Sequence, residues 1–369
     1  MRILLLGEYS NVHHTLAKGL RNRGHEVLLV SNGDFWKNYP RDIDVARPEG
    51  RWGGLRLLVR IISLLPRLRG FDIVQIINPL FFELGAQRIR PIYEYLRRNN
   101  RHIVLGAFGM DHYWVKTCCD EKPLRYSDFN IGNTLRQNAD ARKERHDWLG
   151  TPKAALNQMI AEDADCIVAG LYEYFVCYER HFPTKTCFIP FPIEVKDHAP
   201  RQRKADEPVR IFIGISRGRS EYKGTDIMLR AAQQLKTEYG KRIDLRVAEG
   251  VPFAEYVEMM NGADLILDQL YSYTPSMNPL EAMSRGIICV GGGEPENYAI
   301  LNETELHPII NVQPTYESCY DQLRHVVENP TIISQLQRDS ILYVRRHHDH
   351  NKVAEAYEKM YQSLDFNIS

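Results

Sequence analysis

The stretch IFIGISRGRSEYKGTD, residues 211–226, has the order of a short apolar run, a glycine-bearing basic loop and a helix start. Ile211 to Ile215 is too short for a helix and reads as a strand buried on both faces. Gly214, Gly218 and Gly224 let the backbone approach a ligand closely. The helix beginning near Thr225 and running to Glu238 turns its free N–H groups and positive dipole end toward that loop. A strand that feeds a helix in this way starts a βαβ domain, and here it does so midway along a chain of 369 residues.

Alternation continues downstream. Leu245–Ala248, Leu265–Asp268 and Ile287–Val290 read as strands, with helices at Phe253–Met260 and near Pro279–Ser284. Upstream, KDHAPRQRKADEP (196–208) has the charge and proline of a linker, and before it the same pattern runs from the N-terminus. Ile3–Leu6, Val27–Val30, Ile73–Ile77, Ile103–Leu105 and Cys166–Ala169 are the expected strands. Ser10 or Asn11 is the expected N-cap of a helix whose apolar positions are Val12, Leu16 and Leu20. The sequence therefore predicts an α/β protein of two Rossmann-like domains, 1–195 and 209–345. A last helical stretch, Lys352–Leu364, needs a surface to cover. Between Ala107 and Gly150 the pattern weakens into a polar, aromatic stretch, longer than a usual connection, which favours a functional loop region.

Composition excludes some classes. Lys+Arg and Asp+Glu stand at 47 each, so bulk charge gives no reason to expect nucleic-acid binding, and any phosphate site is local. The apolar run before Gly7 is too short for a signal peptide, and no window is long enough for a transmembrane helix. Seven cysteines without a CxxC, several inside apolar runs, read as reduced core thiols of a cytoplasmic protein.

The chemistry-bearing residues cluster in the second half. Arg217, Arg219 and Lys223 put three cations on a loop before a helix N-terminus, which suits a diphosphate. The order Lys-Gly-Thr is not that of a Walker loop, and a solvated basic turn is the plain alternative. In YTPSMNPLEAMSRGIICVGGGEPENY (273–298), Glu281 lies at a helix start where it can accept from vicinal ribose hydroxyls, or serve only as a favourable first-turn acid.

Taken together, GISR…KGTD, GADLILDQL, PLEAMSRG and GGEPE resemble the C-terminal domain of the retaining GT-B glycosyltransferases of family four. ADADCIVAG…IPFPIE (162–194) is similar to that family's last N-domain strand and its link onward. The resemblance implies a GT-B fold, two Rossmann-like domains facing each other across a cleft, with 346–369 as a helix crossing back to the N-domain. By position it implies that Arg217 and Lys223 grip the donor diphosphate and offset the charge of its departure. It implies likewise that Glu281 binds the ribose and that Ser276 to Leu280, including Asn278, Pro279 and Leu280, lie on a phosphate-facing turn. Glu249 to Val251 fall where the base packs, and Gly7 and Ser216 join the donor-contacting residues. The expectation is a UDP- or GDP-linked sugar donor, with no cofactor and no metal. The resemblance implies a glycan or lipid-linked acceptor, transfer with retention of configuration, and bacterial surface-polysaccharide assembly as the setting.

Two departures from the family stand out. Tyr273 occupies the place of a second Glu, and Phe108-Gly-Met-Asp111 replaces a His before Gly-x-Asp, leaving Asp111 and His112 as the polar candidates near the reacting centre. Local hydrogen bonding in a loop is the competing account of both. Asp163-x-Asp165 and Asp42-x-Asp44 read as incidental, and the run His347-His-Asp-His350 does not converge on one ion along a helix. Residues 51–70 carry five arginines among leucines and isoleucines; a sheet-covering helix is the simpler expectation, and a peripheral contact with the inner face of an anionic membrane the other. His13 and His14 sit in the first helix turn. A catalytically degenerate GT-B-like binding protein and an NAD-dependent oxidoreductase are the alternative functions, the latter disfavoured because the first loop lacks GxGxxG.

Overall fold

The computed structural model describes residues 1–196, 201–204, 206–216 and 218–365. The chain divides into two compact units, each assembled from separated segments. The first comprises Met1–Pro123, Glu144–Pro192 and His350–Ser369, and the second Leu124–Lys143 and Ile193–Asp349.

In the first unit β1 (Arg2–Leu6), β2 (Glu26–Ser31), β3 (Ile43–Asp44), β4 (Ile73–Ile76) and β5 (His102–Ala107) precede the excursion into the second unit. That excursion holds a small antiparallel ribbon, β6 (Asn130–Ile131) and β7 (Thr134–Leu135). The chain then returns for β8 (Cys166–Ala169) and β9 (Thr186–Phe188). Among the described residues these form one parallel sheet in the order β3-β2-β1-β4-β5-β8-β9. β1 lies inside it between β2 and β4, with Leu4 opposite Leu28 on one side and Val74 on the other. Ile3 to Leu6 are fully buried, as a strand covered on both faces requires. The helix Val12–Asn22 turns Val12, Leu16 and Leu20 inward.

The helix His350–Ser363 covers this first unit. Its Tyr361 hydroxyl donates to Gln75 Oε1 at 2.7 Å, and its Glu358 accepts from Arg23 Nε at 2.7 Å. The change of unit falls at 349/350, so residues 346–349 remain with the second unit, where Ile193 N donates to the His348 carbonyl at 2.6 Å.

The second unit's parallel sheet runs β11-β10-β12-β13-β14 among the described residues. Its strands are β10 (Val209–Ile215), β11 (Ile243–Glu249), β12 (Leu265–Leu267), β13 (Ile288–Gly291) and β14 (Ile310–Asn311). Ile211, Ile213, Leu265, Leu267, Ile288 and Val290 form its core with Met228, Ala232 and Leu235 of the helix Thr225–Tyr239.

Two local outcomes differ from the sequence reading. Residues 124–143 were counted in the first domain, yet their contacts belong to the second unit. Neither Ser10 nor Asn11 caps the first helix through its side chain. Both take left-handed backbone angles, φ 50° and 75°, and the chain doubles so that Glu8 supplies the cap. Its two carboxylate oxygens accept from the backbone N–H of His13 at 3.1 Å and of His14 at 2.8 Å.

Candidate functional site

The register of the second sheet fixes which residues share its carboxyl edge. Ile215 pairs with Glu249, Ile213 with Leu267, and Leu267 with Val290. Gly250, Ser216, Asp268 and Gly291 therefore follow one another along the edge where open parallel sheets take their ligands. Glu249 is exposed there and Val251 half-buried.

Beyond β10 the chain enters a single short helical turn, Ser220–Lys223, closed by Gly224 at φ 75°. The Lys223 carbonyl accepts from Leu270 N at 2.9 Å, which ties this turn to the segment after β12. The helix Thr225–Tyr239 begins at once, with its unsatisfied N–H groups at the same edge. Lys223 stands close enough to Asp268 to favour its ionised form, as does a hydrogen bond from Asn278; burial outweighs both and pushes the Asp268 carboxyl up to about 6. Asn278 is further held by the Tyr256 hydroxyl, at 3.0 Å from its Nδ2. Arg217 lies outside the described residues.

Glu281 sits in the helix Met277–Ser284. Arg285, one turn on, donates to its Oε1 from Nη2 at 2.6 Å and from Nε at 3.2 Å. The Glu281 side chain stays 41% exposed, and among the described residues no hydrogen bond falls on Oε2. Pro279 and Leu280 are buried, and the Leu280 N–H is spent on the Ser276 carbonyl at 3.1 Å. Proline has no N–H to give. Among the described residues, the amides of this helix start without a hydrogen bond are thus those of Met277 and Asn278, not that of Leu280.

Tyr273 is a structural anchor. It is 1% exposed, its hydroxyl accepts from Arg125 N at 2.7 Å, and the Arg125 guanidinium lies 4.9 Å from its ring centre. Arg125 Nη2 then reaches Glu294 at 2.7 Å, and the Tyr126 hydroxyl donates to the same carboxylate at 2.5 Å. Residues 124–143 are pinned to this unit through these groups.

The first unit's carboxyl edge is built differently. Gly7 adopts φ 83°, and a Cβ there would stand 2.3 Å from Ile77 Cγ2, so the backbone passes where no side chain fits. Glu8 is 2% exposed, and burial pushes its carboxyl up to about 8 against the two capping N–H groups. His13 Nδ1 meets the Gly7 carbonyl at 2.9 Å and Nε2 meets Gln75 Nε2 at 3.1 Å. Burial lowers its pKa to about 3, so the ring is neutral, donating at Nδ1 and accepting at Nε2. Asp111 is fully buried; Oδ1 accepts from Trp114 N at 2.9 Å and Oδ2 from the Tyr178 hydroxyl at 2.8 Å. It is the N-cap of the helix His112–Asp120, and burial raises its pKa to about 7. His112 Nδ1 meets the Trp148 carbonyl at 3.0 Å, while Nε2 has no partner among the described residues. A cavity of about 240 Å³ opens beside Gly7, Glu8, Tyr9, Asn32, Phe35 and Phe81.

No protein-family model matches the sequence, and no curated protein does. Solved structures match. Sucrose-phosphate synthase from Thermosynechococcus elongatus aligns over 100% of both chains with a TM-score of 0.65 and 16% identity. The fold is GT-B. Anabaena HepE, solved with UDP-glucose, shares the GT-B fold over 98% of this chain and 100% of its own, with a TM-score of 0.58 and 10% identity. UDP-GlcNAc 2-epimerase from Neisseria meningitidis, bound to UDP-GlcNAc, shares it over 98% and 100% with a TM-score of 0.55 and 10% identity. At such identities the likeness carries the GT-B fold and not the reaction.

Besides Lys223 and Glu281, which the sequence reading picked, the structure draws attention to Asp268, Tyr256 and Glu8, which it did not pick. Asp268 was legible as the last residue of an expected strand, at the edge where ligands bind. His347, in the His-rich run, pairs with Glu303 Oε2 at 2.6 Å, and among the described residues no three His, Cys, Asp or Glu side chains gather as a metal set.

Proposed function

We propose that the chain is a glycosyltransferase moving a sugar from a UDP- or GDP-linked donor to a glycan or lipid-linked acceptor, with retention and without a metal, in bacterial surface-polysaccharide assembly. The observation that carries this reading is the second sheet's carboxyl edge. There a lysine on a glycine-closed turn, the first turn of a fifteen-residue helix and a half-exposed glutamate follow one another in a GT-B unit. Departure of a nucleoside diphosphate develops negative charge on its β-phosphate. Lys223, Arg217 by its place in the sequence, and the helix amides offset that charge without reorganising. Glu281 takes the ribose through Oε2, and Glu249 to Val251 border the base. HepE and the epimerase are described with UDP-sugars, which favours a uridine donor. Asp111 and His112 serve the first unit as positioning groups in this reading, since both Asp111 oxygens already accept from protein donors.

The test is calorimetry with UDP, GDP, ADP, CMP and NAD, with and without Mg²⁺, followed by product analysis with the matching sugar nucleotide. Metal-independent binding of one nucleoside diphosphate and sugar transfer to an added acceptor support the reading. Binding without turnover makes the chain a degenerate binding protein, free epimerised sugar makes it an epimerase, and binding of NAD alone overturns the proposal.

Peripheral attachment to an anionic membrane belongs to the same proposal. No described helix is long and apolar enough to cross a membrane. The helix Gly53–Leu64 turns Leu57 and Ile61 inward against the first unit, as a sheet-covering helix does. Its outer face nevertheless carries Trp52, Leu55, Val59 and Ile62 at 49–60% exposure. These four fall within one narrow stripe of the helix, and the exposed Arg56 and Arg60 lie along its flank. An apolar stripe edged by cations fits the headgroup region of an anionic bilayer. Cosedimentation with vesicles containing phosphatidylglycerol, absent with phosphatidylcholine alone, is the expected result. Leu55→Gln with Val59→Gln and Ile62→Gln lowers the bound fraction about tenfold or more. Indifference to lipid charge, or a dimer in sedimentation that the triple variant dissolves, overturns it.

A further inference from the structure

Residues 124–143 lie in the sequence between two segments of the first unit but pack in the second, and one of their side chains reaches the Lys223 turn. The turn Ser220–Lys223 is too short to satisfy its own last carbonyls. Arg136 takes two of them. Its Nη2 donates to the Glu221 carbonyl at 2.8 Å and its Nη1 to the Tyr222 carbonyl at 3.0 Å. Nη1 also reaches the carbonyls of Ser127 at 3.3 Å and Asp128 at 3.2 Å, so one guanidinium joins the excursion to the turn. Arg136 is 8% exposed, and its guanidinium carbon stands 3.4 Å from the centre of the Tyr271 ring. The same ring crowds Gly224, where an added Cβ would lie 2.9 Å from Tyr271 Cε2. Glu221, Tyr222 and Tyr271 thus lean on this one side chain and Gly224 packs on the Tyr271 ring, with Lys223 between Tyr222 and Gly224.

We infer that Arg136 is a positioning residue for the diphosphate site: it fixes the backbone turn that presents Lys223, without touching the ligand. This deepens the proposed function and rests on Lys223 holding phosphate. A planar fork is needed to bridge four carbonyls and cover an aromatic ring at once, and a lysine ammonium offers neither the fork nor the flat face. The cation also keeps positive charge beside a turn that meets a dianion, although its Nη1 and Nη2 are engaged by carbonyls. No pattern of hydrophobic period announces this residue, because its role is created by a segment that leaves one unit to complete another.

The experiment compares the full chain with Arg136→Lys and Arg136→Gln by two readouts. Calorimetry measures UDP and GDP against uridine and guanosine, and hydrogen exchange follows the amides of residues 220–224 and Leu270. In Arg136→Gln the diphosphate that the wild type prefers binds about tenfold to a hundredfold more weakly, because a displaced contact group loses its geometry. The corresponding nucleoside keeps its affinity, and exchange quickens at 220–224 and Leu270 while β1 and β4 keep their protection. Arg136→Lys restores the charge but little of the affinity. Equal weakening of nucleoside and diphosphate, exchange gained throughout the second unit, or wild-type binding in Arg136→Gln overturns the positioning role. A wild type that binds neither UDP nor GDP removes the proposed function, and the positioning role with it.

Discussion

The carboxyl edges of the two sheets both carry polar residues and expose them to different extents. On the first sheet Glu8, His13 and Asp111 are 2%, 0% and 0% exposed, and their hydrogen-bonding atoms meet backbone or buried side chains. On the second, Glu249 is exposed, Glu281 is 41% exposed, and Lys223 and Asp268 are half-buried on a turn and a strand end. A buried carboxylate that already accepts two N–H or O–H groups shapes a loop, whereas a cation at a helix N-terminus in partial contact with water is placed to meet an anion. The contrast teaches that a polar residue beside a glycine at a strand end is not by itself a ligand contact. What distinguishes the two edges is how deeply their polar side chains are buried.

The contrast breaks most sharply through binding. Lys223→Ala should weaken the preferred nucleoside diphosphate by about a hundredfold, as loss of a charge-assisted contact does, and Glu281→Ala by about tenfold, both with unchanged melting temperature. Wild-type affinity in both, measured by calorimetry, would erase the distinction between the edges. Asp111→Ala should do the reverse. It removes an N-cap and strands the Tyr178 hydroxyl, costing about 2–4 kcal/mol in urea denaturation while leaving nucleotide affinity in the folded protein intact. The smallest effect is a pH slope. The folded state holds the Glu8 proton up to about pH 8, while an unfolded glutamate releases it near 4.5. Stability is therefore fully present below about pH 4.5 and is lost as pH rises through about 8. Asp111, raised from 3.8 to about 7, adds in the same direction. Glu8→Gln should flatten the fall of melting temperature over that interval; an unchanged slope would mean that the carboxylate is ionised in place.

Much of the architecture was legible because it rests on local periodicity. The expected strand Ile211–Ile215 lies within β10, Cys166–Ala169 is β8, and the helix from Thr225 ends one residue beyond expectation at Tyr239. Lys223 and Glu281 stand out in the sequence as charges beside helix starts, and their part in donor binding belongs to the proposal. Glu8 was not, since its capping depends on two successive left-handed residues that no side-chain pattern demands. Residues 124–143 were not legible as part of the second unit either. Their anchors, Arg125 to Glu294 and Arg136 to the carbonyls of 221 and 222, are long-range polar contacts with no period. Tyr273 reads in sequence as the loss of a glutamate. In space it is a gain, because its hydroxyl accepts the Arg125 amide that starts the excursion.

The discontinuity of both units also orders events during synthesis. When residue 123 has left the ribosome, the chain holds five strands of the first sheet, and the next twenty residues cannot reach their lasting partners, which begin at residue 193. Arg125 and Arg136 must wait for Tyr222, Tyr271 and Glu294 to be translated. Completion is then inverted: the second unit has all its segments at residue 349, while the first still lacks the helix that supplies Tyr361 to Gln75 and Glu358 to Arg23. A premature stop just before that helix would spare the later-encoded unit and leave the earlier one open.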